Sequence, residues 1–213
     1  YNNLGAGTDF RQGDVYSFKG ESTLVSFFGR ANYSYLNRYM ITATLRQDGS
    51  SRFGENHKWG TFPSISLAWR LSDEPFMKCT SSWLDNLKVR LGFGVTGNQN
   101  GIGEYKSLSI LSASGAAYYD AATQTWKNAY TQSQNVNPDL KWESTSQWNF
   151  GLDFSIFNRI NGTLELYHKK TSDLLWTYPV PQPPYLVGTM LANVGDLVNR
   201  GFELTLGANI LRT

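Results

Sequence analysis

"GRANYSYLNRYMITATLRQDGSSRFGENHKWGTFPSISLAWRL", residues 29–71, decides the fold of this chain. Val25, Phe27, Gly29, Ala31, Tyr33 and Tyr35 alternate with Ser26, Arg30, Asn32 and Ser34 across its start. The rhythm breaks at Leu36-Asn37-Arg38 and returns as Tyr39, Ile41, Ala43 and Leu45 against Thr42, Thr44, Arg46 and Asp48. After the polar stretch 49–58 it returns again as Trp59, Ile65, Leu67, Trp69 and Leu71 against Gly60, Ser64, Ser66 and Arg70. A period of two puts one residue type on each face of a strand, so the stretch reads as three β-strands, each with an apolar and a polar face.

The same alternation recurs in Leu87, Val89, Leu91, Phe93 and Val95, and in Trp142, Trp148, Phe150, Leu152, Phe154 and Ile156. It recurs again in Ile160, Leu164 and Leu166 and in Phe202, Leu204, Leu206 and Ala208, which makes seven strands, mostly of ten residues or more. Strands of soluble proteins average about 5–6 residues, whereas strands that cross a bilayer need about 9–11. The polar face carries charge at mid-strand, in Arg30, Arg46, Arg70, Arg90, Asp153 and Glu165. In a membrane barrel that face meets water inside and the apolar face meets lipid.

The connections alternate in length. Those at 36–38 and 158–159 are tight, and those at 49–58, 97–139 and 171–199 are long. Counting along the chain puts both tight turns on one side, as in a barrel with short periplasmic turns and long external loops. The connection 72–86 falls on the short side but is too long for a plain turn, and a short helix fits there. Tyr33, Tyr35 and Tyr39 beside one turn, Trp59 beside a loop and Trp69 at a strand end read as interfacial girdles. The expected fold is therefore all-β, an antiparallel transmembrane β-barrel. Seven strands do not close a bacterial barrel, and lipid tolerates no open edge, so residues 1–213 are expected to be part of one larger barrel domain.

Composition narrows the function classes. The 213 residues carry a net charge of +2 and no Lys/Arg run, which argues against a nucleic-acid partner. Aromatics at 15% with twenty glycines favour β structure. Cys79 is the only cysteine, so no intrachain disulfide forms. No stretch approaches the roughly 20 apolar residues of a membrane helix, and the start YNNLGAGTDF lacks the basic and apolar regions of a signal peptide.

The stretch FFGRANYSYLNRYMITATLRQDGSSRFGENHKWGTFPSISLAWRLSDEPFM resembles the barrel of SusC/RagA-type TonB-dependent outer-membrane transporters of Bacteroidota. The resemblance runs on through LDNLKVRLGFGVTGNQNGIGEY, NPDLKWESTSQWNFGLDFSIFNRINGTLELYHKKTSDLL and NVGDLVNRGFELTL, and covers residues 21–206. It implies a plugged barrel of about 22 strands. It further implies import of oligosaccharides, or of peptides in some members. The partners implied are a SusD-like surface lipoprotein acting as a lid, and TonB acting through a plug. Neither a plug, a TonB box nor the remaining strands are recognised in this sequence, so the segment alone is not expected to transport.

Candidate chemistry is sparse. Gly92-Phe93-Gly94-Val95-Thr96-Gly97 matches the dinucleotide fingerprint, but no helix is expected after it to meet a pyrophosphate. Glu143 and Asp153 lie about 33 Å apart on one strand, too far for a glycosidase pair. Glu143, Asp153 and Glu165 read as lumen charges facing Arg70, Lys88, Arg90 or Lys169. His57 and His168 are the only histidines, and no cluster has zinc spacing. His168 with a serine would be needed for an outer-membrane barrel hydrolase, and nothing in the sequence unites them. No catalytic, cofactor-binding or metal residue is therefore assigned, and no enzyme activity is expected.

The substrate-contact candidates lie in the longest outer loop: Tyr118, Tyr119, Trp126 and Tyr130. Aromatic rings stack on the apolar faces of sugars. The competing roles are packing of the loop on itself or docking of the lid. Pro179, Pro181, Pro183 and Pro184 make a stiff extended piece. The alternative for the whole chain is a soluble all-β carbohydrate-binding module.

Overall fold

The computed structural model describes residues 19–209. Seven long strands form one antiparallel sheet among the described residues. They are β1 (Leu24–Tyr35), β2 (Tyr39–Ser50), β3 (Trp59–Arg70), β4 (Leu84–Asn98), β7 (Glu143–Ile156), β8 (Ile160–Ser172) and β11 (Asp196–Ala208), side by side in that order. All have 12 to 15 residues, enough to cross a bilayer. Two further hairpins, β5 (Leu111–Asp120) with β6 (Thr125–Gln132) and β9 (Leu175–Pro179) with β10 (Thr189–Asn193), stand in the two longest connections. These strands differ from the loops expected in both connections. Short, Gly/Ala-rich and Pro-flanked strands carry little period-two signal.

Register aligns the seven strands face for face. Tyr33, Ile41, Leu67, Leu91, Phe150, Leu166 and Phe202 stand in one unbroken row across the sheet. One step toward the tight turns lies a second row, Tyr35, Tyr39, Trp69, Val89, Leu152, Leu164 and Leu204. Most of these side chains are exposed, although all are apolar or aromatic. On the other face Arg30, Thr44, Ser64, Gly94, Gln147, Lys169 and Asn199 form a polar row. An apolar face of this extent suits lipid, and a soluble sheet would cover it.

The tight turns share one construction. Arg38 N–H donates to the Tyr35 carbonyl at 3.0 Å, with Leu36 and Asn37 at φ 51° and 54°. Arg159 N–H donates to the Ile156 carbonyl at 3.1 Å, with Phe157 and Asn158 at φ 54° and 50°. Two successive left-handed residues make the turn that matches the twist of paired strands. The third connection on this side holds two short 3-10 helices, Leu71–Asp73 and Pro75–Thr80.

The buried core is small and lies at the opposite, outer end of the strands. Phe53, Phe62, Ile102, Leu140 and Trp142 form it, with Val95, Leu175 and Leu191 against them. Trp142 is a correction: its parity in sequence assigned it to the lipid-facing series. β7 begins only at Glu143, and Trp142 turns inward, where its indole N–H donates to the Lys58 carbonyl at 3.1 Å.

Candidate functional site

The outer core assembles four sequence motifs from three separate stretches of the chain, 48–64, 97–103 and 137–143. DGSSRFG supplies Phe53, WGTFPS supplies Phe62, GNQNGIG supplies Ile102, and NPDLKWE supplies Leu140 and Trp142. The β3–β4 ladder ends at Ser64 and Gly94, and Phe62 lies where the strands part. Gly60 and Gly97 leave room for it, because a Cβ on either would overlap the Phe62 ring. The Phe53 and Trp142 rings meet at 4.5 Å between centroids.

Asparagines then strap one loop to another. Asn135 Nδ2 donates to the carbonyls of Val187 at 2.5 Å and Thr189 at 2.9 Å, and Asn137 Nδ2 donates to that of Leu191 at 2.9 Å. Alternate residues of 135–137 thereby meet alternate carbonyls along 187–191, into the start of β10. Asn193 closes the strap, accepting from Lys141 N–H at 2.9 Å and donating to the Lys141 and Asp173 carbonyls. Residues 135–141 and 187–193 are thereby joined into one platform. Beside it, a cavity of about 610 Å³ is lined by Arg52, Glu55, Glu104, Tyr105 and Val136, among others.

All four candidate aromatics are on the β5–β6 hairpin, which they divide unequally. Tyr119 stands opposite Trp126, their rings in T-shaped contact at 5.5 Å. Tyr130, four residues along β6, shares the Trp126 face. Tyr118 stands opposite Lys127 on the other face. All four are exposed, Trp126 at 71%. Lys127 Nζ ion-pairs with Asp120 and, as the leading cause, holds the Asp120 carboxyl below its ordinary range. The structure thus joins Tyr119, Trp126 and Tyr130 into one surface and leaves Tyr118 apart.

On the polar face Arg90 collects two of the three carboxylates that the sequence singled out. Its Nε and Nη2 reach Asp153 at 2.8 and 2.9 Å, and Nη2 reaches Glu165 at 2.7 Å. Glu143 stands apart at the outer end, accepting from Asn98 at 3.1 Å. The Gly92–Gly97 stretch lies wholly within β4, so the strand–turn–helix of a dinucleotide site is not formed. His168 stands between Trp148 and Arg200 on the outward face, and neither ladder places a serine opposite it. The inner-side cluster of Glu74 with Tyr39 and Trp69 was not anticipated. Its one sequence signal was the surplus length of the connection.

The family described as "TonB dependent receptor-like, beta-barrel" matches residues 1–212. TonB-dependent receptor SusC of Bacteroides thetaiotaomicron is 42% identical over 201 residues, covering 92% of this chain and 20% of that protein. TonB-dependent receptor P39 of Formosa agariphila is 40% identical over 190 residues, covering 89% of this chain and 17% of that protein. The structure of the RagAB peptide importer in its open-open state contains a chain that superposes with a TM-score of 0.81 at 30% identity. That match covers 96% of this chain and 22% of the other. A siderophore receptor, PirA of Acinetobacter baumannii, shares the fold at a TM-score of 0.60 and 16% identity. The chain spans about a fifth of the length of these SusC- and RagAB-type relatives. The chain belongs to the TonB-dependent receptor β-barrel family, in its SusC/RagA branch, and its seven-stranded sheet is part of the wall of an outer-membrane barrel.

Proposed function

We propose that this segment builds the wall and outer loops of a nutrient importer that takes up oligosaccharides or peptides. It would work under a SusD-like surface lipoprotein, with energy from TonB delivered through a plug outside this chain. Residues 1–213 then form part of one barrel domain. The observation that carries the reading is the outer core. Four motifs converge there to fix large loops above a charged, water-facing strand surface, in a chain 42% identical to a receptor of this type.

Within this reading Tyr119, Trp126 and Tyr130 are the contact surface for substrate or lid, with Tyr118 a peripheral contributor. The curated relatives are receptors by name and the RagAB structure a peptide transporter by name, and no nucleophile–base pair meets among the described residues of this sheet to favour an enzyme. The soluble carbohydrate-binding module is set aside, because the apolar face spans all seven strands with its side chains exposed. The test is to extract the full-length protein from native outer membranes in mild detergent and identify what accompanies it by mass spectrometry. The expected result is a near-stoichiometric surface lipoprotein carrying glycan or peptide. Recovery without detergent, or alone, overturns the proposal.

A further inference from the structure

The three inner connections repeat one local pattern. Leu36-Asn37-Arg38, Phe76-Met77-Lys78 and Phe157-Asn158-Arg159 each present a bulky apolar residue followed, two positions on, by a basic one. Leu36, Phe76 and Phe157 are 62%, 61% and 61% exposed. Leu36 and Phe157 hold left-handed backbone angles, where a large side chain is disfavoured and Gly or Asn is the ordinary choice. Neither side chain supports a core, so folding of the turn alone gives no reason for its size.

The middle connection is held against the outer wall. Glu74 is buried, although it lies outside the strands. It accepts from Tyr39 Oη at 2.5 Å and Trp69 Nε1 at 3.0 Å, and Arg38 lies 3.7 Å away. Tyr39 and Trp69 belong to the lipid-facing row, their rings stacked at 6.1 Å and Tyr35 continuing the stack at 6.4 Å. Glu74, at the head of the segment Pro75–Thr80, is therefore tied to residues of the lipid-facing row, while Asp73 just before it pairs with Arg70 of the polar face. The Phe157 N–H bond to the Trp83 carbonyl at 2.8 Å joins this segment to the neighbouring turn.

We propose that this inner rim is a membrane anchor: Leu36, Phe76 and Phe157 enter the headgroup region of the inner leaflet, while Lys78 and Arg159 meet lipid phosphates and Arg38 stays paired with Glu74. The inference rests on the outer-membrane reading of the sheet and extends it beyond the strands. Continuity with the aromatic row names lipid as the occupant. An apolar side chain close to a cation is the arrangement that an interface of acyl chains and phosphate accommodates. The acids nearby are engaged, Glu74 as above, Asp73 with Arg70 at 3.4 Å and Asp85 with the Asn158 N–H at 2.5 Å.

Cys79 gives a direct probe. In a 3-10 helix residues three apart eclipse, so Cys79 lies above Phe76. The full-length transporter, with Cys79 as the sole labelled thiol, is reconstituted in phosphatidylethanolamine–phosphatidylglycerol vesicles. A fluorophore on Cys79 should be quenched by headgroup spin-labelled lipid and protected from aqueous iodide. The triple variant Leu36→Asn, Phe76→Asn, Phe157→Asn keeps residues that tolerate the turns and should lose that quenching. Full iodide access with no lipid quenching in the wild type overturns the anchor. A label at Leu67→Cys in the lipid-facing row separates the two readings. If it is quenched by acyl-chain spin labels while Cys79 is not, only the anchor fails. If it too is exposed to iodide, the outward assignment of the sheet fails and the anchor with it.

Discussion

Arg90 on β4 reaches across β7 to Glu165 on β8, its guanidinium lying over Gly151. A Cβ at Gly151 would come 2.9 Å from the Arg90 Cζ, so the glycine is what lets one cation bridge two neighbouring strands. Glu203 stands opposite Glu165 on the far side, within the same polar row. Arg90→Gln therefore leaves Asp153 and Glu165 without their shared counter-charge, with Glu165 still facing Glu203 across the ladder. These groups are partly exposed, so the expected loss is about 1 kcal/mol, larger at low salt than at high salt. Urea unfolding of the full-length barrel at the two ionic strengths checks this, and a salt-independent effect would refute the electrostatic account. Gly151→Val should reproduce part of the loss by moving the guanidinium.

Phe62 and the two glycines beside it make a second, sterically defined prediction. Gly97→Val forces the ring out of the gap between β3 and β4, a strain of about 1–3 kcal/mol. Phe62→Ala leaves the gap empty at about 3–5 kcal/mol. Both changes act where the outer loops are fixed, so protease cleavage within 99–142 on intact cells should rise before the barrel itself melts. Unchanged cleavage would show that the loops are held independently of this core.

Most of the wall was legible in sequence because a lipid-facing strand writes its face directly into a period of two. All seven wall strands and both tight turns follow from that code. Trp142 did not, because a residue just outside a strand keeps the parity of the strand while its side chain obeys the local core. The hairpin strands were missed for a related reason: Ala117 and Asn128 carry no contrast between faces, and the pairing slips between Ala113 and Ala117. The aromatics of that hairpin were visible as residue types. Their division between two faces required the register.

Glu74 supplies a pH dependence. The Tyr39 hydroxyl, then the Trp69 indole, donate to its carboxylate and hold it below the ordinary glutamate range. A carboxyl depressed in the folded state stabilises fully above its unfolded value, about 4.3, and that stability is lost as pH falls through the lower folded value. Below about pH 4 the inner connection should therefore loosen first, seen as faster iodide quenching at Cys79. Glu74→Gln accepts the same two hydrogen bonds without titrating, so its quenching should stay flat across that window. A wild type equally flat would remove the charge of Glu74 from the argument.

Trp126 and Tyr119 make one edge-to-face unit on an exposed hairpin, and Tyr130 extends it along the same face. If that face contacts substrate or lid, its members must outweigh Tyr118, which shares its own face with Lys127. Trp126→Ala should weaken capture by about tenfold, equivalent to about 1.4 kcal/mol, because it removes both its own surface and the support of Tyr119. Tyr118→Ala should change capture less than Trp126→Ala does. Isothermal titration of the full-length complex with its co-purified ligand reads the difference, and lipoprotein recovery on pull-down is measured in parallel. Loss of ligand affinity with the lipoprotein retained assigns the face to substrate, and loss of the lipoprotein assigns it to the lid. Equal, small effects of both substitutions would mean that the rings serve only to pack the hairpin against itself.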